Sequence, residues 1–153
     1  MKWRKADLQT YFQSKEYIDT VIVPLIPFGI ASDVEAEKAA IQAEMITLLS
    51  HELEKELTGR ILLAPIYSYL KSADRQTEIA RMNMWSAEMK EQPFKHVFML
   101  TFDPSWKKYE QELESTLLWL PAVQTGELNS KEMQKTVREQ VGQMVELIRA
   151  YWQ

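Results

Sequence analysis

Four short apolar, strand-like runs in this chain, residues 20–25, 60–64, 96–102 and 116–120, stop at or beside a proline, and a helix-patterned segment follows each. The prolines are Pro24, Pro65, Pro104 and Pro121. Alternating strand and helix signals read as βαβ units, which place their strands in a parallel sheet covered by helices. Proline has no amide proton to give a ladder, so each is expected to mark the end of its strand. The expected fold is α/β: a three-layer αβα arrangement around a four-stranded, mostly parallel sheet in the flavodoxin-like order 2-1-3-4. The direction of the fourth strand stays open, because the helix connecting it is short.

The chain's 153 residues fit a single domain, 1–153, and a domain of this size buries roughly 68–70% of its unfolded surface. With 46% hydrophobic and 10% aromatic residues it has the apolar mass for a core, which argues against extended disorder. Net charge is −4, and the basic residues are scattered: Lys2, Arg4 and Lys5 at the start, then Lys107 and Lys108 as a lone pair. That balance disfavours nucleic acid as a partner. The absence of cysteine excludes disulfides, thiolate catalysis and thiolate metal sites, and suits a reducing compartment. No apolar run approaches the ~18 residues needed to span a bilayer, and no signal core follows the first residues. A soluble, cytoplasmic protein without a membrane span is expected.

Asp7 reads as the N-cap of a short opening helix carrying Leu8, Tyr11 and Phe12 on one face. Ser32 and Glu35 are spaced as a capping box. Ile41, Met45, Leu49, Leu53 and Leu57 then recur every four residues, Leu48 widens the stripe, and Gly59 stands where a left-handed C-cap belongs. After the second strand comes an aromatic loop, Ile66-Tyr67-Ser68-Tyr69-Leu70. Ser72 or Asp74 caps the next helix, which carries Ile79, Met82, Trp85 or Ser86, and Met89, and Pro93 closes it. Asp103-Pro104 is a strong helix start, with Trp106, Tyr109 and Leu113 on one face. A loop at 121–128 contains Gly126, and Asn129 with Glu132 offers another capping box. The last helix has an inward stripe of Met133, Val137, Val141, Met144, Ile148 and Tyr151.

In open parallel sheets the functional crevice lies beyond the carboxyl ends of the strands, where strand order reverses. Candidate residues there are Phe28, Ser32 and Asp33 on one side, and Asp103, Ser105 and Trp106 on the other, with Tyr67 and Tyr69 nearby. The binding candidates singled out are Tyr67, Tyr69, Asp103 and Trp106, because tyrosines with an apolar body and a polar tip suit a binding rim. A phosphate site is not expected: the loop after strand one has a single glycine, and Asp33, Asp74, Asp103 and Glu132 already occupy the positive ends of the helices. No metal site is expected, since His51 has Thr47 and Lys55 four residues away and His96 begins strand three at the far end. Phosphoacceptor chemistry would use Asp103, but no acid follows strand one before Asp33. Gly-x-Ser-x-Gly is absent, and no serine has a base identifiable at fixed spacing. Neither catalytic residues nor a cofactor are expected.

The segments Met1-Lys2-Trp3-Arg4, Tyr17-Ile18-Asp19-Thr20 and Val23-Pro24-Leu25-Ile26-Pro27 resemble those of the YpiF-like proteins of bacilli, domain of unknown function 2487, and the resemblance extends along the whole chain. It implies a cytosolic bacterial protein and assigns no activity, substrate or active-site residue. A fainter likeness is to creatininase-type amidohydrolases, whose first strand also ends in a Val-Pro stretch. Their metal-binding Glu-x-His-Gly segment is replaced here by Phe28-Gly29-Ile30-Ala31-Ser32.

Two functions follow as expectations. The first is a non-enzymatic binding or regulatory module that contacts a protein partner through the aromatic crevice or the outer helices, with homodimerisation through the final helix, where Trp152 falls outside the inward stripe. The alternative is a small-molecule-binding protein or small enzyme acting at the crevice through Asp103, Tyr67 and Tyr69.

Overall fold

Strand β1 (Thr20–Phe28) is the centre of the sheet because its β-branched and proline-rich sequence is apolar on both faces. In this computed structural model, residues 1–92, 94–122 and 130–153 are described. Helix α1 (Lys5–Gln13) precedes β1. After it come α2 (Asp33–Glu56), β2 (Ile61–Leu63), β3 (Tyr67–Leu70), α3 (Arg75–Lys90), β4 (His96–Thr101), a 3-10 helix (Pro104–Glu112), β5 (Thr116–Trp119) and α4 (Lys131–Tyr151).

The strand order is β2-β1-β4-β5, and every described pairing is parallel, including β4 with β5. This is the expected 2-1-3-4 order, with a fifth strand added. β3 pairs with the second half of β1, where Leu25 faces Tyr67 and Phe28 faces Leu70. β2 and β3 therefore lie one after the other along the same side of β1. The expected aromatic loop is this strand. Its alternation of buried Tyr67 and Tyr69 with exposed Ser68 and Leu70 is the period-two signature of a half-buried strand.

Pro24 does not stop β1, contrary to expectation, and a second proline, Pro27, also lies within the strand. Pro24 stands opposite Leu100 and Pro27 opposite Tyr69, both inside the strand. In a parallel strand alternate residues bond to opposite neighbours. Ile22 and Phe28 give their carbonyls to Ala64 and Lys71 on the β2–β3 side. Pro24, of the same parity, faces the gap where β2 has ended and β3 has not begun. Pro27 faces the β4 side, beyond the last pairing at Pro24–Leu100. Neither position asks for an amide, which is where a strand tolerates proline.

The sheet separates two apolar clusters. Ile22, Phe98 and Leu100 pack with α2 and α4 through Met45, Leu49, Leu53, Val137, Val141, Met144 and Ile148. Val21, Val23, Val97 and Met99 pack on the other face with Tyr11, Ile79, Met82 and Trp106. The result is a helical layer on each side of an open, mostly parallel sheet. Among the described residues no helix is long and apolar enough to cross a membrane.

The helix starts follow the sequence with two changes. Ser32, Asp74 and Asp103 accept from the amides of Glu35, Thr77 and Ser105 as N-caps. The N-cap of α1 is Arg4, and Asp7 sits one turn in, reaching back to the Lys2 amide at 2.7 Å. Ser130 caps α4 through the Met133 amide; Asn129, Gly126 and Pro93 lie outside the described residues. Gly59 has φ of 97°, the left-handed conformation expected after α2. Leu48 and Tyr151 are exposed rather than buried members of their stripes. Trp152, expected to project outward, instead packs against the core: its indole donates to Thr20 Oγ1 at 2.8 Å, and the Arg60 guanidinium lies 4.1 Å from its ring. It has a partner within its own chain, so it gives no reason for dimerisation.

Candidate functional site

The carboxyl edge of the sheet gathers the residues singled out from the sequence. Strand alternation turns Tyr67 and Tyr69 into the core, and the Asp-Pro helix start sets Asp103 beside them at the end of β4. The Tyr69 hydroxyl donates to Asp103 Oδ2 at 2.7 Å. Asp103 Oδ1 accepts the Ser105 amide at 2.9 Å, and Arg75 Nη2 reaches Ser105 Oγ at 2.9 Å and Asp103 Oδ2 at 3.4 Å. Trp106 is edge-on to Tyr69, with ring centres 5.3 Å apart, and the Arg75 guanidinium stands 4.6 Å from the Trp106 ring. Beside this network the Tyr67 hydroxyl donates to Glu78 Oε2 at 2.8 Å, and Arg81 holds the same carboxylate at 3.1 Å.

The carboxylates and tyrosine hydroxyls here satisfy one another, whereas Trp106 Nε1 and Arg75 Nη1 are buried without a hydrogen-bond partner. Burial works to raise the Asp103 carboxyl, but the bonds from Tyr69 and Ser105 and the charge of Arg75 outweigh it and hold it below the usual range. Burial, together with the bond to Glu78, pushes Tyr67 up to about 12, and burial beside Asp103 pushes Tyr69 up further still. All four predicted residues, Tyr67, Tyr69, Asp103 and Trp106, come together, but the three aromatic ones are buried beneath the surface. Ser105 joins the network. Ser32 is engaged as the α2 cap, and Asp33 is exposed in the first turn.

On the opposite face of β1 and β3 from these tyrosines lies an apolar surface. Phe28, Ile30, Val34 and Leu70 are 54% to 75% exposed. Phe28 and Leu70 are register partners on adjacent strands and so stand side by side. They border a groove of about 510 Å³ whose rim carries the Lys71–Glu35 ion pair at 3.6 Å. The outer edge of β3 has no strand partner among the described residues.

Sequence reasoning reached Phe28 but missed Leu70, Arg75 and Glu78. Leu70 was signalled by the Tyr-Ser-Tyr-Leu alternation. Arg75 and Glu78 act on residues up to 30 positions away, and no local pattern announces that. His51 is exposed, and His96 is half-buried and stacked 6.2 Å from Phe98. Among the described residues no three His, Asp or Glu side chains gather to hold a metal.

Comparison with known proteins agrees with the sequence resemblance. The chain is 32% identical to the uncharacterized protein YpiF of Bacillus subtilis (strain 168), over 99% of this chain and 98% of that protein. No solved structure matches it. A family model described as a protein of unknown function (DUF2487) matches residues 9–152, and the chain belongs to that family.

Proposed function

We propose that this protein is a non-enzymatic binding module, a single domain of the cytoplasm, that docks a protein partner on the apolar surface formed by Phe28, Ile30, Val34 and Leu70. The observation that carries this reading is that Phe28, Ile30 and Leu70, all largely in solvent, line one groove at the edge of the sheet. Isolated exposed apolar residues are ordinary, whereas contiguous ones mark interaction surfaces. The free edge of β3 adds unpaired backbone groups beside the patch, which suits an extended segment of the partner. In this reading Tyr67, Tyr69, Asp103 and Trp106 are positioning residues. The hydroxyl bonds of Tyr67 and Tyr69 and the packing of Trp106 on Tyr69 hold β3 and so hold Leu70 beside Phe28.

The geometry supports the small-molecule alternative less well. Asp103 already receives three donors, and the tyrosine hydroxyls are engaged by carboxylates, so the cluster offers no free acid or base. Affinity capture from native extract separates wild type from the Phe28→Ser/Leu70→Ser double variant. A partner retained only by wild type supports the reading, and an identical set of captured proteins contradicts it.

A further inference from the structure

A groove of about 630 Å³ runs between α2 and α4 on the outer side of their layer. Val137, Val141 and Val145 line it beneath Leu48, with Glu52 and Glu56 on the α2 wall and Arg138 on the α4 wall. Two features of this groove bear on what it can receive. Gly142 is exposed in the middle of α4, where glycine costs about 1 kcal/mol relative to alanine. No atom lies within 4 Å of where its Cβ would stand, so internal packing does not require it. A position without a Cβ admits the close approach of a second backbone. The second feature is charge: Glu52, Glu56 and Arg138 form no ion pair among the described residues.

An occupant that pairs these charges carries both signs in the reverse arrangement. A second copy of the chain supplies that by symmetry. A two-fold axis set across the groove, midway between the acidic wall and Arg138, exchanges the two, so each copy's Arg138 meets the other copy's Glu52 and Glu56. The area is also adequate. Helices of 24 and 21 residues are about 30–36 Å long and, side by side, present a face of roughly 600–700 Å². A standard interface buries about 800 Å² on each partner.

We propose that the α2–α4 groove is a homodimer interface, with Gly142 at the point of closest approach and reciprocal Arg138 to Glu52/Glu56 pairs at its rim. This surface is distinct from the Phe28–Leu70 patch, and the two readings stand or fall separately.

Light scattering of the full chain across micromolar concentrations tests the proposal, with circular dichroism as a check on folding. Wild type is expected at twice the chain mass. Arg138→Glu alone and Glu52→Arg/Glu56→Arg alone bring like charges together, and each is expected to weaken association at least tenfold. An equimolar mixture of the two restores complementary pairs and is expected to recover a dimer. Gly142→Leu favours the helix and is expected to stay folded while losing the dimer. Wild type that is monomeric throughout overturns the proposal. So does a dimer that none of these variants weakens, or a mixture of the two charge variants that stays monomeric.

Discussion

Tyr69 donates its hydroxyl to Asp103 across 2.7 Å, and this bond ties the edge strand β3 to the turn that follows β4. The same carboxylate caps the 3-10 helix through Ser105 and accepts from Arg75. One largely buried acid thus joins the 3-10 helix to β3 and the start of α3, 28 to 34 residues earlier, and the exposed Leu70 sits one residue beyond the tyrosine.

Removing that donor leaves a carboxylate only 14% exposed with one partner fewer. Tyr69→Phe is expected to destabilise the protein by about 1.5–3 kcal/mol, the range for hydrogen bonds to charged groups. Tyr17→Phe, at an exposed position, is expected to stay within about 0.5 kcal/mol of wild type. Urea unfolding of both variants measures the difference, and equal midpoints would contradict a structural role for the bond.

The dependence of stability on pH has two limbs. Asp103, Asp19 and Asp7 all sit below their ordinary values in the folded protein; for Asp19 the bonds from Arg60 and Thr20 overcome burial, and for Asp7 the Lys2 amide is the main cause. Their contribution is present above the ordinary carboxylate range and is lost as pH falls through their lowered folded values, so stability should decline below about pH 4. Tyr67 and Tyr69 are raised, so their contribution is intact below about pH 10 and is lost as pH climbs towards 12 and beyond. Spectrophotometric titration is expected to show Tyr67 and Tyr69 ionising only as the protein unfolds. Ionisation of Tyr67 and Tyr69 near pH 10 in folded protein would contradict the network.

Much of this fold was legible in the sequence. The β-branched run at 20–23, the Ser32 cap, the Asp103-Pro104 start and Gly59 each act through local backbone chemistry, and each stands where its pattern indicated. Pro24 misled because its tolerance depends on which neighbour its amide would face, and that depends on β2 giving way to β3 alongside β1. The candidate residues at the carboxyl edge were legible as a group from topology. Their burial was not, because it depends on Arg75, Glu78 and Trp85 arriving from α3.

At the opposite end of the sheet, Trp152 fastens the end of α4 to the start of β1 through Thr20 and stacks on Arg60, which is bonded to Asp19. Trp152→Ala removes the indole donor and its packing together. A loss of about 3 kcal/mol is expected in thermal or urea unfolding, as for other large aromatic truncations at packed sites. A change below about 0.5 kcal/mol, typical of surface positions, would contradict this anchoring.

Gly59 separates α2 from β2 with φ of 97°. Gly59→Ala meets no neighbouring atom within 4 Å, so its cost is purely conformational. A loss of about 1–2 kcal/mol is expected. Unchanged stability in urea would mean that the turn has an alternative right-handed path.

The claim on which the functional reading rests is that the surface around Phe28 and Leu70 carries a protein partner. Its most direct measurement is photo-crosslinking in cells from a reactive residue placed at Ile30, with a second placed at exposed Met84 on α3 as control. The expected result is one discrete adduct from position 30 that is absent from position 84 and disappears when Phe28→Ser and Leu70→Ser are added. No adduct at position 30, or the same products from both positions, would contradict the account.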